Sequence, residues 1–449
     1  MLIKNCQPCD PNFKGDKKAE LCDIRIDNGI ISAIEKCGKL VIKDSETVFD
    51  GENLWLLPGF IDLHTHLRDL GQSAKEDVAT GTLAAASGGY TTVVAMANTV
   101  PPIDNAAIFT KLLQIIKEKA LIEVLPIACV TQNMAGSELT EMAILSQLGA
   151  VAFSDDGLPL SNLAVMRRAL EQSKALGSLI VSHPEDKDLS GAGTMNESVY
   201  ATAKGLAGVT TASEAACIAR EIEVVRVTGA ALHFAHVSAS ASIKLIERAK
   251  ADGLPVTCDT TPHHLTLTDS EIPGYDANFK MNPPLRSKHD QDALVQALKS
   301  GVIDAIATDH APHTMAEKEK GFNGAPCGVI GLETAFALCL ERLAGESLPA
   351  TERLSLLEVV RKFTTAPARI LGITEPNLKV GAAANLSLFD PADHWCYNAR
   401  KATSKSENSP FNGRMIKGRT VLTLWGGKVA YQHEPATSRW LAIEGLALK

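Results

Sequence analysis

Eight short apolar runs, at residues 57–66, 91–96, 122–129, 150–155, 179–183, 231–237, 254–259 and 303–309, recur along the chain with helical patterns between them. Strands that alternate with amphipathic helices imply βα units and a parallel sheet. Eight such units predict a (β/α)8 TIM barrel of the α/β class. The helical half of the pattern is explicit at 213–228, where Ile218, Ile222 and Val225 recur at i, i+4 and i+7 and Gly229 supplies the stop. It recurs at 352–363 with Leu356, Val359, Val360 and Phe363.

The two ends of the chain carry a different pattern. Residues 21–34 alternate apolar and polar about Asp27-Asn28-Gly29, a hairpin signal, and strands at 385–389 and 420–429 surround the turn Gly426-Gly427. Both termini are therefore expected to meet in one small β-sandwich. The predicted division is residues 1–55 for its N-terminal part, 56–374 for a catalytic barrel and 375–449 for its C-terminal part. A chain of 449 residues fits a barrel plus a smaller domain.

A formal net charge of -8 with no basic cluster excludes an electrostatic footprint for nucleic acid or anionic membrane. Met1-Leu2-Ile3-Lys4 lacks the long apolar core of a signal peptide, and the uncharged run 78–103 is broken by Gly88-Gly89 and Pro101-Pro102. The ten cysteines form no framework, and Cys6-x-x-Cys9 is answered by no second such pair. These features predict a cytoplasmic protein with a small-molecule partner.

In such barrels the chemistry sits at the C-terminal ends of the strands. The first candidate strand ends in LLPGFIDLHTHLRD, and side-chain alternation points His64, His66 and Arg68 to one side. The second leads to Asn98, the fourth to Asp155-Asp156, the fifth to His183, the sixth to His236 and the eighth to Asp309. Any one of these is a weak signal, but four histidines and two aspartates on five strand ends of one barrel point to a metal centre. They are too many for one tetrahedral zinc with an open position and suit two zinc ions sharing a carboxylate and a water. The bridge should come from the fourth strand, where Asp156 is the candidate and Asp155 the alternative. No lysine stands there to serve as a carboxylated bridge. Water activated between two metals attacks an amide-like carbon, and Asp309 can take its proton and return it to the leaving nitrogen. The reaction class is opening or closing of a C–N bond. Arg68 can clamp a carboxylate, with Asn98 and His313 completing an anion pocket. His233 has the opposite parity to His236 and is expected in the core, while His263 and His264 should anchor a loop. His289, His394 and His433 receive no role.

PGFIDLHTHLRDLG, MANTVPPID, FSDDG, TPHHLTLTD, KMNPPLRS and IATDHAPHTMAEK resemble the dihydroorotases, in the longer type related to allantoinases and hydantoinases within the amidohydrolase superfamily. The resemblance covers nearly the whole chain. It implies zinc-dependent, reversible cyclisation of N-carbamoyl-L-aspartate to L-dihydroorotate in pyrimidine (UMP) biosynthesis. It places one zinc on His64, His66, Asp156 and Asp309 and a second on Asp156, His183 and His236. It implies substrate contacts from His66, Arg68, Asn98, Asn282, His313 and the backbone of Cys327 and Gly328. Two departures stand out: Ala97 where the family has proline before Asn98, and Cys327 where it often has a bulky apolar residue. A homo-oligomer and a complex with an aspartate carbamoyltransferase are further expectations. The alternatives are an allantoinase- or hydantoinase-type cyclic amidohydrolase and a non-catalytic scaffold subunit. Residues 314–326, with Gly321 and Gly324, read as a lid.

Overall fold

All eight expected barrel strands form in the computed structural model, which describes residues 1–12 and 20–441. They are Phe60–Thr65, Tyr90–Ala95, Glu123–Pro126, Ala152–Phe153, Leu179–Ser182, Leu232–Phe234, Val256–Thr260 and Ala305–Ile306. Parallel pairing follows chain order, with the first three strands in one ladder and the last five in another. Single parallel bridges, Ala128 to Phe153 and Thr65 to His310, join the two ladders into a closed ring. Closure leaves no sheet edge, and helices cover the outside, so the strands carry apolar residues on both faces.

The run 57–66 is two strands rather than one. Trp55–Pro58 pairs antiparallel with Leu386–Phe389, and Phe60–Thr65 pairs parallel with Tyr90–Ala95. Gly59 makes the crossing between them, because a Cβ there would lie 2.1 Å from Thr91 Oγ1. The helix expected over 213–228 spans Thr211–Thr228, ending at Gly229 with φ 61°. The helix expected over 352–363 begins only at Leu356. Ser355 and Glu358 form a capping box that starts it there, and Ala350–Glu352 is a separate 3₁₀ turn.

Strands from both termini form the second layer of the fold. Leu2–Pro8 belongs to three ladders: it pairs antiparallel with Cys22–Asp27, and in parallel Leu2–Lys4 pairs with Val48–Asp50 and Gln7–Pro8 with Trp55–Leu56. Between them Asn5 takes φ 60°, and its side chain holds Asp50 Oδ1 at 2.9 Å. The Asn28-Gly29 hairpin has φ 52° and 79°, the positive pair that a two-residue turn requires. Ile3, Ile24, Leu56, Leu388 and Leu422 share one buried cluster, so neither end of the chain completes this core alone. The expected C-terminal part runs to 449, and its residues 442–449 lie outside the described ones. Phe336 bridges the layers, 4.6 Å from the Phe60 ring and 5.0 Å from Phe389. Such aromatic contacts add about 0.5–1.5 kcal/mol each beyond the area they bury. Among the described residues no helix is long and apolar enough to cross a membrane.

Candidate active site

The strand ends converge on one cavity of about 240 Å³ lined by His66, Arg68, Asn98, Asp156, His183, His236, Asn282, Asp309, His313, Cys327 and Gly328. That is every predicted site residue except His64, which lies beneath them at 1% exposure. The volume suits a small ring rather than a drug-sized ligand.

Two groups of buried side chains can each hold a metal ion: His64, His66 and Asp156, and Asp156, His183 and His236. Asp156 belongs to both. Its Oδ1 lies 3.5 Å from His64 Nε2, 3.5 Å from His183 Nδ1 and 3.8 Å from His236 Nε2, and its Oδ2 lies 3.6 Å from His66 Nε2. Asp309 joins from the eighth strand, with Oδ1 3.2 Å from His66 Nε2 and 3.6 Å from His64 Nε2. Asp155 points elsewhere: it accepts from the Val130 and Thr131 amides at 2.8 and 3.1 Å and from the Thr131 hydroxyl. With its lone pairs so occupied it braces the loop after the third strand.

The donor set fits divalent cations. Both ring nitrogens of His64 are buried without a hydrogen-bond partner, and a buried polar atom left so costs about 1–3 kcal/mol. A metal on Nε2 removes that cost for one of them. His183 Nδ1 and His236 Nε2 approach to 3.0 Å with a carboxylate beside them, an arrangement that a shared proton or a metal ion between the three groups satisfies. Burial disfavours protonation, yet Asp156 lifts the imidazoles of both His64 and His183 to about 9. Burial likewise opposes ionisation of Asp156 and Asp309, but the surrounding histidines hold both carboxyls below the usual range.

The side chains of His66, Asp156 and His183 are oriented from behind, and the backbone of His64 and His236 is held in place. The Asn98 carboxamide oxygen lies 2.9 Å from His66 Nδ1 and accepts its proton, which leaves Nε2 for the metal side; the same amide donates to Asp156 Oδ2 at 3.0 Å. Asn98 thus braces two ligands besides lining the cavity. Glu185 Oε2 accepts from His183 Nε2 at 3.1 Å and from Asn282 Nδ2 at 2.9 Å. Asp62 accepts from the His64 amide at 3.2 Å and the Thr308 amide at 2.9 Å, tying the first strand to the eighth. Asp259 accepts from the His236 amide at 2.7 Å and from His233 Nε2 at 2.9 Å. His233 is thereby a satisfied buried residue, as its parity predicts. His264 anchors the Asn282 loop by donating to Pro283 O at 3.0 Å. Arg68, His236 and Asp309 all have positive φ, at 62°, 39° and 47°. Non-glycine residues reach that region rarely, and such strain gathers at functional sites.

On the opposite wall, Arg68 Nε donates to Pro312 O at 3.2 Å, and Nη2 lies 3.3 Å from His313 Nε2. Arg68 forms no ion pair among the described residues, and burial pushes its guanidinium down to about 10, still charged at neutral pH. His313 donates from Nε2 to Cys327 O at 2.9 Å, so its Nδ1 lone pair faces Lys75 Nζ at 3.4 Å. Burial, then Arg68, Lys75 and Lys318, push the His313 imidazole down to about 3, which makes it neutral. Gly328 has φ 144°, and a Cβ there would meet Ala311 O at 2.6 Å. The segment 314–326 is no open loop: it forms helices Met315–Lys318 and Gly321–Gly324, with Lys75 2.9 Å from Glu317.

Glu185, Lys75 and Lys318 escaped the sequence reading. For Glu185 there was a signal, an acid two residues beyond a candidate ligand; for the lysines there was none.

A closed barrel with His–Asp groups that could hold metal at its strand ends is the arrangement of a metal-dependent hydrolase. The L-hydantoinase (dihydropyrimidinase) of Arthrobacter aurescens superposes with a TM-score of 0.81 over 95% of both chains at 25% identity. A family model described as dihydro-orotase-like matches residues 54–242. The dihydroorotase of Geobacter metallireducens is 45% identical over 96% of this chain and 99% of its own, and that of Citrifermentans bemidjiense is 44% identical over 96% and 99%. The chain belongs to the dihydroorotase family.

Proposed function

We propose that the enzyme interconverts L-dihydroorotate and N-carbamoyl-L-aspartate on two divalent metal ions, both zinc. The observation that carries the substrate is Arg68, a buried guanidinium in the cavity wall with no carboxylate partner among the described residues. Dihydroorotate brings a ring carboxylate that a fork of N–H donors can hold in two places. Neutral cyclic ureides would leave that charge unpaired, which disfavours them.

His64, His66, Asp156 and Asp309 would hold one ion, and Asp156, His183 and His236 the other. Bound there, the pair supplies an acidified water and a polarised ring carbonyl. Arg68, Asn98, Asn282, His313 and the Cys327–Gly328 backbone bind and orient the ring, with His66 against its reacting side. Asp309 accepts a proton from the attacking water and returns it to the departing ring nitrogen. The bond between that nitrogen and the ring carbonyl carbon breaks, and the water oxygen ends on the carbon as a carboxylate, its second proton passing to solvent. Cyclisation retraces these steps: a proton is taken up from solvent, the carbamoyl nitrogen gives up its own proton as it forms the bond, and water leaves.

Assay of purified protein of known metal content, in both directions, tests the reading. It predicts dihydroorotate opening and carbamoyl-aspartate closure that vanish on chelation and return with zinc. Failure of both reactions in zinc-loaded protein overturns it. Family resemblance supports three wider proposals: a cytoplasmic setting, a homo-oligomer, and association with an aspartate carbamoyltransferase. It also supports the division of the chain at residues 1–55, 56–374 and 375–449, with Leu56–Pro58 still pairing in the terminal sheet before the first barrel strand begins at Phe60. Light scattering of the protein alone and mixed with that transferase tests the assemblies.

A further inference from the structure

Lys318 ends the short helix Met315–Lys318 at 7% exposure and forms no ion pair among the described residues. Its ammonium donates instead to Gly328 O at 2.9 Å, Pro326 O at 3.1 Å and Lys280 O at 3.3 Å. An ammonium has three donors, and three carbonyls take them. Burying such a charge is expensive, and an apolar side chain would fill the space without that cost. What the ammonium adds is a directed hold on three peptide groups.

Those peptides build two walls of the substrate cavity. Lys280 stands two residues before Asn282, while Pro326 and Gly328 flank Cys327. The walls are also stitched by the Gly328 amide, which donates to Lys280 O at 2.9 Å. Lys280 Nζ fastens the preceding turn through Asn323 O at 3.0 Å and Ala325 O at 2.7 Å. Asn408 Nδ2 takes Gly328 O from the other side at 2.9 Å. Among the described residues only the Lys318 side chain grips both walls with one atom.

We propose that Lys318 is a positioning residue for substrate recognition, its ammonium fixing the spacing between the Asn282 wall and the Cys327–Gly328 wall without touching the substrate. This rests on the reading of the cavity as a dihydroorotate site. Wall misplacement acts on binding, so its signature is in KM more than in kcat.

The charge on Lys318 gives that signature a pH dependence. Burial pushes the ammonium down to about 8; Cys327 opposes this, Lys280 adds repulsion, and Asp276 and Glu317 pull it back up. His313 also faces this group but is neutral throughout. A neutral amine offers two donors for three carbonyls, so the walls loosen as pH rises through that value.

Steady-state kinetics of zinc-loaded wild type, Lys318→Met and Lys318→Arg between about pH 6 and pH 9, where Arg68 keeps its charge, test the proposal, with metal content and melting temperature as fold controls. In wild type KM for dihydroorotate should rise about tenfold across the titration while kcat changes less. Lys318→Met should show the raised KM already at neutral pH and lose the alkaline rise. Lys318→Arg, charged throughout, should also lose the alkaline rise. A flat wild-type KM profile, or Lys318→Met with wild-type KM or an intact alkaline rise, overturns the proposal. Should Lys318→Met fail to fold, the wild-type and Lys318→Arg profiles decide. Absence of any wild-type turnover at neutral pH is a separate result, which removes the dihydroorotate reading and this proposal with it.

Discussion

Glu185 Oε2 lies 3.1 Å from His183 Nε2, on the side of the imidazole away from Asp156. The carboxylate fixes which nitrogen carries the proton and turns Nδ1 toward the metal position, as in other carboxylate–histidine–metal arrangements. Glu185→Gln should therefore lower affinity for the second metal by about 10–100-fold while the first is kept. Zinc retained per chain during stepwise chelation measures this. Loss of both metals together, or of neither, would contradict it.

Asp309 has two candidate tasks, ligand and proton carrier. Asp309→Asn keeps the size and a ligating oxygen but cannot accept the proton. Turnover in both directions should fall about 10²–10⁴-fold, with circular dichroism unchanged. A near-normal rate would leave Asp309 as a ligand only.

Far from the site, Glu46 takes Arg25 Nε at 2.8 Å, Arg25 Nη2 at 3.0 Å and the Lys43 amide at 3.1 Å. Burial works against ionisation, but Arg25 and the Lys43 amide hold the carboxyl below its ordinary value. A depressed folded value means the stabilisation is complete above the unfolded carboxyl pKa, about 4.3, and is lost as pH falls through the lower folded one. Glu46→Gln should cost about 1.5–3 kcal/mol at neutral pH. Urea midpoints of wild type and variant should run parallel from about pH 8 down to about pH 5 and converge below about pH 4. A gap that widens on acidification would contradict the assignment.

The barrel was legible because βα alternation marks where each strand stops, and the metal-type residues sit at those stops. His64, His66, Asp156, His183, His236 and Asp309 needed no long-range contact to be found. The break at Gly59 was hidden because the apolar residues on either side, Leu56, Leu57, Phe60 and Ile61, serve two different sheets with one pattern. Periodicity reports burial, not which neighbour does the burying. Lys318 and Lys75 were invisible for another reason: their partners are backbone carbonyls for the one, and for the other a ring nitrogen and Glu317, far along the chain, which no residue spacing encodes. Asn98 was found as a substrate contact, but its hold on His66 and Asp156 depends on geometry across the second and fourth strands.

The most direct test of the account compares dihydroorotate with dihydrouracil, the same ring without the carboxylate. Wild type should favour dihydroorotate in kcat/KM by about 10²-fold or more, the worth of a buried, bidentate charged contact, and Arg68→Met should erase most of that ratio. A wild-type preference for dihydrouracil, or a ratio unmoved by Arg68→Met, would contradict the assignment of this cavity to an acidic ring.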